Sequence, residues 1–180
     1  MDYAAIAEAA KKHEQPMVDF LRDIVAIEGY SGTEKNVIAR IRYEVEKLGF
    51  ADKITVDGLG NLLVQIGNGP RLIAIDAHVD TGGVGNPGEW KHDPFKGKVE
   101  NGIVYGRGAG DQRGSVPPMV YATKIIKDLG LQSDEWSLLL TGGHRVHGGD
   151  TVLHPAVGRK GIRVLIYLEV LVLFLHRRCG

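Results

Sequence analysis

The sequence is poor in cysteine, has no excess of charge of either sign and does not begin with an apolar segment. Its single cysteine, Cys179, excludes an internal disulfide. The 22 basic and 22 acidic side chains cancel, so no global field attracts nucleic acid or anionic lipid. The opening MDYAAIAEAAKKHEQ is too polar for a secretory signal peptide. We therefore expect a cytoplasmic protein with no nucleic-acid partner.

A strongly apolar run, IRVLIYLEVLVLFL, lies near the end of the chain at residues 162–175. It is too short for a membrane span, and Glu169 interrupts it. We therefore expect no membrane association. The run is instead rich in residues that favour β-strands, which makes it an aggregation hazard wherever it is exposed.

The 180 residues, 43% of them hydrophobic, suffice for one globular domain with a buried core. Residues 3–28 have a helical pattern, in which Pro16 predicts a kink or a division into two helices. The next segment predicts the clearest helix of the chain, with a capping box from Ser31 to Glu34 and a stop at Gly49. A further helix is predicted to start at the Pro117-Pro118 pair and to end near Gly130.

Short apolar runs predict the strands of a sheet. They are Ile54–Val56, Leu62–Ile66, Leu72–Ile75 and the run WSLLLTG at residues 136–142. The run Leu72–Ile75 is apolar at every position, which is typical of a strand covered on both faces. Strands of this kind alternating with helices predict an α/β fold.

Ten glycines lie in the 33 residues from Gly82 to Gly114, and Asn101-Gly102 within this segment predicts a hairpin turn. A long glycine-rich segment in a compact domain is more often a functional loop than a passive connection. Asp80 stands at its start and Asp111 near its end. Both positions adjoin predicted strand or helix ends, where open α/β sheets place their ligands.

His78 and Asp80 are the candidate residues for a metal site. Residues two apart on an extended backbone point to the same side, so the imidazole can bind a metal while the carboxylate orients the ring. Asp111 can bring a second carboxylate to the same place. The alternative is a surface or core histidine without such a role, because the pattern His-x-Asp is common by chance.

Three motifs in order, LIAIDAHVDT, EWKHDPF and VYGRGAGDQRG, resemble the signature of a metallopeptidase superfamily. This superfamily contains the zinc- or cobalt-dependent aminoacylases, acetylornithine deacetylases, succinyl-diaminopimelate desuccinylases and carboxypeptidases G. The stretches DAHVDT with the following GVGN, DQRG and MVYATKIIKDLGL are most similar to its bacterial members described as hydrolases associated with selenium metabolism. The resemblance covers about residues 1–141.

The resemblance implies a hydrolase of amide bonds in N-acyl amino acids or small peptides, with a homodimer as the full-length form. It implies two divalent metal ions, Zn²⁺ in the first place and Co²⁺ as the alternative. His78 would bind one metal, Asp111 would bridge both, and Asp80 would be the catalytic residue that orients His78. Arg107 and its neighbouring glycines would shape the loop that carries Asp111, where a tight turn needs positive φ.

The sequence departs from the family pattern after the run SLLLTG. The family places a Glu-Glu pair there, with one glutamate as general base and the other as metal ligand, whereas this chain reads GHRVHGGDTVLHP. His144, His147, Asp150 and His154 have no spacing typical of a helix-borne zinc motif. We therefore expect a truncated α/β metallopeptidase fold that is inactive as this chain, with residues 1–141 as the N-terminal part of the catalytic domain.

Residues 142–180 are expected to be an atypical tail produced by a frame change, not a domain. Gly148-Gly149-Asp150 can be encoded GGA GGA GAY, and the frame one base later reads GAG GAG, which is Glu-Glu. One alternative is a non-catalytic fragment that binds metal weakly or a protein partner through its sheet edge. Nucleotide binding by GRGAGDQRG is a poorer alternative, because that loop lacks the P-loop arrangement.

Overall fold

The computed structural model describes residues 2–143 and the backbone of one further strand. Its α-helices are α1 (Tyr3–Lys12), α2 (Glu14–Val25), α3 (Lys35–Leu48) and α4 (Val116–Asp128). Its strands are β1 (Lys53–Val56), β2 (Leu62–Ile66), β3 (Arg71–His78), β4 (Lys98–Glu100), β5 (Ile103–Tyr105), β6 (Trp136–Gly143) and β7 (Ile162–Tyr167). Short 3₁₀ helices lie at Pro87–Glu89 and Arg113–Ser115. Helices and strands are mixed along the chain, as the α/β prediction requires.

The main sheet has five strands in the order β1-β2-β6-β3-β7. β3 pairs in parallel with β6 on one side and β7 on the other, while β2 is antiparallel to both β1 and β6. On β3, Leu72 and Ala74 are buried and Ile73 and Ile75 are partly buried. Neither face of β3 is therefore exposed, which confirms the prediction made from its continuous apolar run.

The hydrophobic core lies between the helices and the sheet. It is built from α2, α3 and α4 on one side and from β2, β3 and β6 on the other, and includes Phe20, Ile24, Val37, Ile41, Val45, Val64, Ala77, Val116, Val120 and Leu140. Each large apolar side chain buried in this way contributes about 1.5–3 kcal/mol. This layer holds β3 in place and thereby fixes its carboxyl end.

The first helical segment is divided into two helices, as predicted from Pro16. The division falls at His13, and Pro16 is the third residue of α2. A proline is tolerated there because the backbone N–H groups of the first helical turn have no acceptor within the helix. α4 likewise carries Pro117 and Pro118 in its first turn, and Gly130 beyond its end has φ +61°.

The predicted capping box from Ser31 to Glu34 is wrong. α3 begins at Lys35 without a side-chain cap, and the Glu34 carboxylate accepts a hydrogen bond from the Gly32 N–H at 2.8 Å. The Ser31 hydroxyl donates to Asp80, 49 residues away in sequence. This tertiary hydrogen bond to a buried carboxylate replaces the local one. The stop at Gly49 is confirmed by its φ of +66°.

The hairpin predicted at Asn101-Gly102 is confirmed. Asn101 has φ +52° and Gly102 has φ +76°, and the turn joins β4 and β5 in a separate two-stranded sheet. Two consecutive positive φ angles are typical of a type I′ turn, which matches the twist of the strands it connects.

The apolar run near the end of the chain contributes backbone to the main sheet. Ile162–Tyr167 forms β7 beside β3, and residues 168–175 lie outside the described residues. Within the part of the chain that the structure describes, no helix combines the length and the apolar character that crossing a membrane requires.

Candidate active site

The three predicted site residues meet at the carboxyl end of β3. His78 is the last residue of β3, and Asp80 follows in the turn that leaves the sheet. Asp111 comes from the glycine-rich loop, just before the 3₁₀ helix that leads into α4. The sheet thus supplies two side chains from one strand end, and the loop returns a third to the same place.

The His78 ring lies between two carboxylates. Its Nε2 is 3.0 Å from Oδ1 of Asp111, and its Nδ1 is 3.2 Å from Oδ1 of Asp80. The side chains of His78 and Asp80 are 11% and 8% exposed, whereas that of Asp111 is 79% exposed. The ring therefore has one buried carboxylate behind it and one solvent-facing carboxylate in front of it.

The contact between His78 and Asp111 depends on which ring nitrogen carries the proton. A proton on Nδ1 has two acceptors on Asp80, the backbone carbonyl oxygen at 3.3 Å and Oδ1 at 3.2 Å. In that tautomer the lone pair of Nε2 faces Oδ1 of Asp111 at 3.0 Å, whereas in the other tautomer Nε2–H donates a hydrogen bond to it. In the first tautomer, an imidazole nitrogen and a carboxylate oxygen of suitable chemistry for a metal ion face each other.

Two further side chains support this geometry, and neither was predicted from the sequence. Ser31 donates its hydroxyl to Oδ2 of Asp80 at 2.7 Å. Gln112 accepts the backbone N–H of His78 on its Oε1 at 2.9 Å. The position of Gln112 directly after the candidate Asp111 could have indicated its place in the site. The sequence around Ser31 indicated only a helix cap.

Arg113 joins the site to the helix layer. It is 1% exposed, and its guanidinium donates to four backbone carbonyls, those of Ile24, Ile27, Gly29 and Val79. Burial lowers the pKa of Arg113 to about 10, although the negative charges of Asp80 and Glu34 act in the opposite direction. Arg113 therefore stays positively charged at neutral pH. Its hydrogen bonds join residues 24–29 to Val79, the residue between His78 and Asp80.

The loop that carries Asp111 is held at its start by Arg107. The Arg107 Nε donates to the carbonyl of Gly82 at 2.8 Å, which connects the two ends of the glycine-rich segment. Gly108 has φ +80°, and a Cβ there would lie 2.6 Å from Cγ2 of Thr81. The prediction that this turn needs glycine at positive φ is confirmed, since both the backbone angle and the close approach exclude a larger residue.

The described residues supply only part of a metal site. Among them, no group of three or more His, Cys, Asp or Glu side chains is placed to hold a metal ion. Four side chains near the end of the chain that could replace the missing glutamates lie outside the described residues. They are His144, His147, Asp150 and His154. His78 and Asp111 are thus two donors of suitable chemistry, an imidazole nitrogen and a carboxylate oxygen.

Residues 74–143, which include all three candidates, match the model of peptidase family M20/M25/M40. The chain is 51% identical over 140 residues to the Escherichia coli K12 protein described as "Uncharacterized protein YgeY", which covers 78% of this chain and 34% of the relative. It is 30% identical over 133 residues to the succinyl-diaminopimelate desuccinylase of Methylocella silvestris, with 70% and 34% covered. The chain thus spans about a third of the length of these curated relatives.

A solved structure has the same fold. The M20 family metallo-carboxypeptidase Sso-CP2 from Sulfolobus solfataricus aligns with a TM-score of 0.61 at 23% identity, over 72% of this chain and 30% of that protein. At this identity the likeness concerns the fold alone. Together with the family match, it confirms the α/β metallopeptidase fold expected from the three motifs.

Proposed function

Because residues 74–143 match the model of peptidase family M20/M25/M40, we propose that the described residues of this chain form one side of a metal-dependent site for amide-bond hydrolysis. One observation carries the proposal: Nε2 of His78 faces Oδ1 of Asp111 at 3.0 Å while Asp80 holds the opposite nitrogen. The proposed substrates are N-acyl amino acids or small peptides. The names of the relatives, a desuccinylase and a metallo-carboxypeptidase, support this class.

His78 and Asp111 would hold a divalent metal ion, with Zn²⁺ as the first choice and Co²⁺ as the alternative. When bound, such an ion supplies Lewis-acid polarisation of the amide carbonyl and an acidified water molecule. Asp80 keeps a proton on Nδ1 of His78 and so leaves Nε2 as the ligand atom. In the complete site, Asp111 would bridge two ions, and its exposure leaves the carboxylate accessible to both.

We propose that this chain by itself has no appreciable amidohydrolase activity. The family pattern requires a glutamate as general base after β6, and the sequence has none there. A positioned general base is typically worth about 10²- to 10⁴-fold in rate. A cytoplasmic location, expected from the composition of the sequence, and a homodimeric full-length form, implied by the resemblance of the sequence motifs, are further proposals.

Calorimetric titration with zinc tests the metal pair. The double variant His78→Ala, Asp111→Ala should lose one binding event that the unchanged chain shows, because two ligands are removed together. The double variant His13→Ala, Glu14→Ala is the matched control, since it removes one imidazole and one carboxylate at the junction of α1 and α2. Identical isotherms for the unchanged chain and the site variant would refute the assignment.

An activity assay tests the other half of the proposal. The purified chain with added Zn²⁺ or Co²⁺ should not hydrolyse N-acetyl or N-succinyl amino acids above the background of the metal alone. Metal-dependent turnover that disappears in the His78→Ala, Asp111→Ala variant would confirm the site and refute the proposed inactivity of the chain.

A further inference from the structure

We propose that Ser31 is a positioning residue of this site, which acts through Asp80 on the orientation and protonation of the His78 ring. Ser31 lies on the loop between α2 and α3, 47 residues before His78. Its hydroxyl donates to Asp80, and Asp80 in turn contacts the proposed ligand His78. The inference rests on the proposed function, because orientation of His78 matters only if its Nε2 is a ligand.

Asp80 contacts both Ser31 and His78. The Ser31 hydroxyl donates to Oδ2 at 2.7 Å, while Nδ1 of His78 lies 3.2 Å from Oδ1 and 3.3 Å from the backbone carbonyl oxygen of Asp80. Asp80 is only 6% exposed, so its hydrogen bonds come from protein groups at fixed positions. A hydroxyl fixed on one oxygen sets the plane of the carboxylate, and that plane sets the direction in which the other oxygen meets the ring.

The backbone delivers Ser31 to this place. Tyr30 forms a parallel β-bridge with Thr81, and the Thr81 N–H donates to the carbonyl of Gly29 at 2.9 Å. Arg113 also donates to the Gly29 carbonyl, at 3.3 Å. The two residues that precede Ser31 thus bind the segment that follows β3, and these contacts bring the Ser31 hydroxyl to Asp80.

The start of α3 shows that the hydroxyl serves the site instead of the helix. An N-cap hydroxyl typically stabilises a helix by about 1 kcal/mol, and Ser31 followed by Glu34 has the sequence for it. α3 nevertheless has no side-chain cap. The loop therefore forgoes a local stabilisation in favour of the hydrogen bond to Asp80.

Loss of the hydroxyl should change the proton position on the His78 ring. Without the Ser31 hydroxyl, the Asp80 carboxylate loses one of the hydrogen bonds that set its plane, and the contact of Oδ1 with Nδ1 weakens. The proton can then move to Nε2 and be donated to Oδ1 of Asp111, which is 3.0 Å away. That tautomer has no lone pair on Nε2 for a metal ion.

Nuclear magnetic resonance of the metal-free full chain, labelled with ¹⁵N in its histidine rings, tests this directly. Long-range ¹H–¹⁵N correlations at a pH of about 8, where histidine is ordinarily neutral, report which ring nitrogen is protonated. The signals of His78 are assigned by their absence in His78→Gln. We expect the Nδ1–H tautomer in the unchanged chain, a mixture of tautomers in Ser31→Ala and restoration of Nδ1–H in Ser31→Thr.

The matched control is Thr33→Val, which removes a hydroxyl from the same loop. Thr33 donates to the carbonyl of Tyr30 at 2.9 Å, and its hydrogen bond does not reach Asp80. This variant should leave the ring tautomer of His78 unchanged. Comparable thermal unfolding of Ser31→Ala and Thr33→Val shows that a tautomer change in the former is not a loss of folding.

Zinc titration separates this inference from the proposed function. Ser31→Ala should bind zinc about 10-fold more weakly than the unchanged chain, which is the lower end of the effect of groups that orient metal ligands. An unchanged His78 tautomer in Ser31→Ala refutes the positioning role, whatever the zinc result. A tautomer change in a chain that binds no zinc upholds the link from Ser31 to His78 and refutes the metal site.

Discussion

Two buried carboxylates of this molecule, Glu44 in the helix layer and Asp80 behind β3, are held in opposite ways. Glu44 is 1% exposed and accepts a hydrogen bond from the Tyr121 hydroxyl at 2.8 Å. It also pairs with Arg40 at 2.9 Å and with Lys47 at 3.4 Å. Asp80 is 6% exposed and is held by the hydroxyl of Ser31 and by the ring of His78.

The difference shows in the charge around each carboxylate. Burial by itself raises the pKa of Glu44, but the hydrogen bonds from Tyr121 and Arg40 and the positive charges of Arg40 and Lys47 together outweigh it, so the pKa lies below its ordinary value. Burial, with Glu44 as hydrogen-bond partner, raises the pKa of Tyr121. Near Asp80, the cation Arg113 donates its hydrogen bonds to backbone carbonyls. Its interaction with the Asp80 carboxylate is electrostatic attraction between the two charges.

Burial of a carboxylate therefore does not identify a functional site. The contacts of Glu44 stay between α3 and α4 and neutralise its charge within the fold. The contacts of Asp80 continue through His78 to Asp111, which is 79% exposed. The first chain of contacts ends on the cation Lys47, whose side chain is 58% exposed, whereas the second ends on the exposed carboxylate of Asp111, a group of the kind that binds metal ions.

The largest stability effect is expected for Glu44→Ala. It should lower the free energy of unfolding by about 3 kcal/mol, because it leaves Arg40 and Tyr121 without their shared buried partner. Urea denaturation measures the loss, and zinc binding should be unchanged. The control Glu46→Ala removes the exposed partner of Arg42 on the same helix and should cost less than about 0.5 kcal/mol. Equal losses in both variants would show that Glu44 is not held as described.

A pH series should show the same pairing of Glu44. Its folded pKa is lowered, so the stability from its ionisation is present above its ordinary pKa of 4.5 and is lost as the pH falls through the folded value. Glu44→Gln should therefore be less stable than the unchanged chain at pH 7, and the difference should shrink on acidification below pH about 4.5. Thermal unfolding from pH about 7 to about 3 measures it. A difference that is constant with pH would contradict the lowered pKa.

A smaller stability effect than that of Glu44→Ala is expected for Asp80→Asn. The amide keeps the size of the side chain and one acceptor, so unfolding should become easier by only about 1 kcal/mol. Zinc affinity should nevertheless fall by about 10- to 100-fold, since Asn holds the His78 proton less firmly than a carboxylate. Urea denaturation and calorimetry on the same sample give both numbers. A large stability loss with unchanged zinc affinity would make Asp80 a structural residue like Glu44.

The parts of the fold that sequence predicted are those determined by neighbours along the chain. Pro16 in a first helical turn, Gly49 at positive φ and the Asn101-Gly102 turn depend on local backbone preferences. The continuous apolar run of β3 reflects the position of this strand inside the fold, where neither of its faces is exposed. These features are visible in short windows of sequence, and the structure confirms them.

The parts that sequence missed are those determined by distant partners. Ser31 has the local signature of a helix cap, but its acceptor is 49 residues away. The carbonyl acceptors of Arg113 lie between 34 and 89 residues away, and nothing in the motif DQRG indicates them. The meeting of His78, Asp80 and Asp111 was predicted from strand geometry and family resemblance, while their roles toward a metal stay predictions.

The strand order has a consequence for how the protein forms during synthesis. β1 and β2 are neighbours in both chain and sheet and can pair as soon as both have left the ribosome. β3 follows them in the chain, but its partners β6 and β7 are made later. β3, which ends at His78, therefore lacks its sheet partners until the glycine-rich loop and α4 have been made. During that interval β3 is an unpaired apolar strand of the kind that is prone to aggregate, and its pairing with β6 begins only when residues 136–143 have been made.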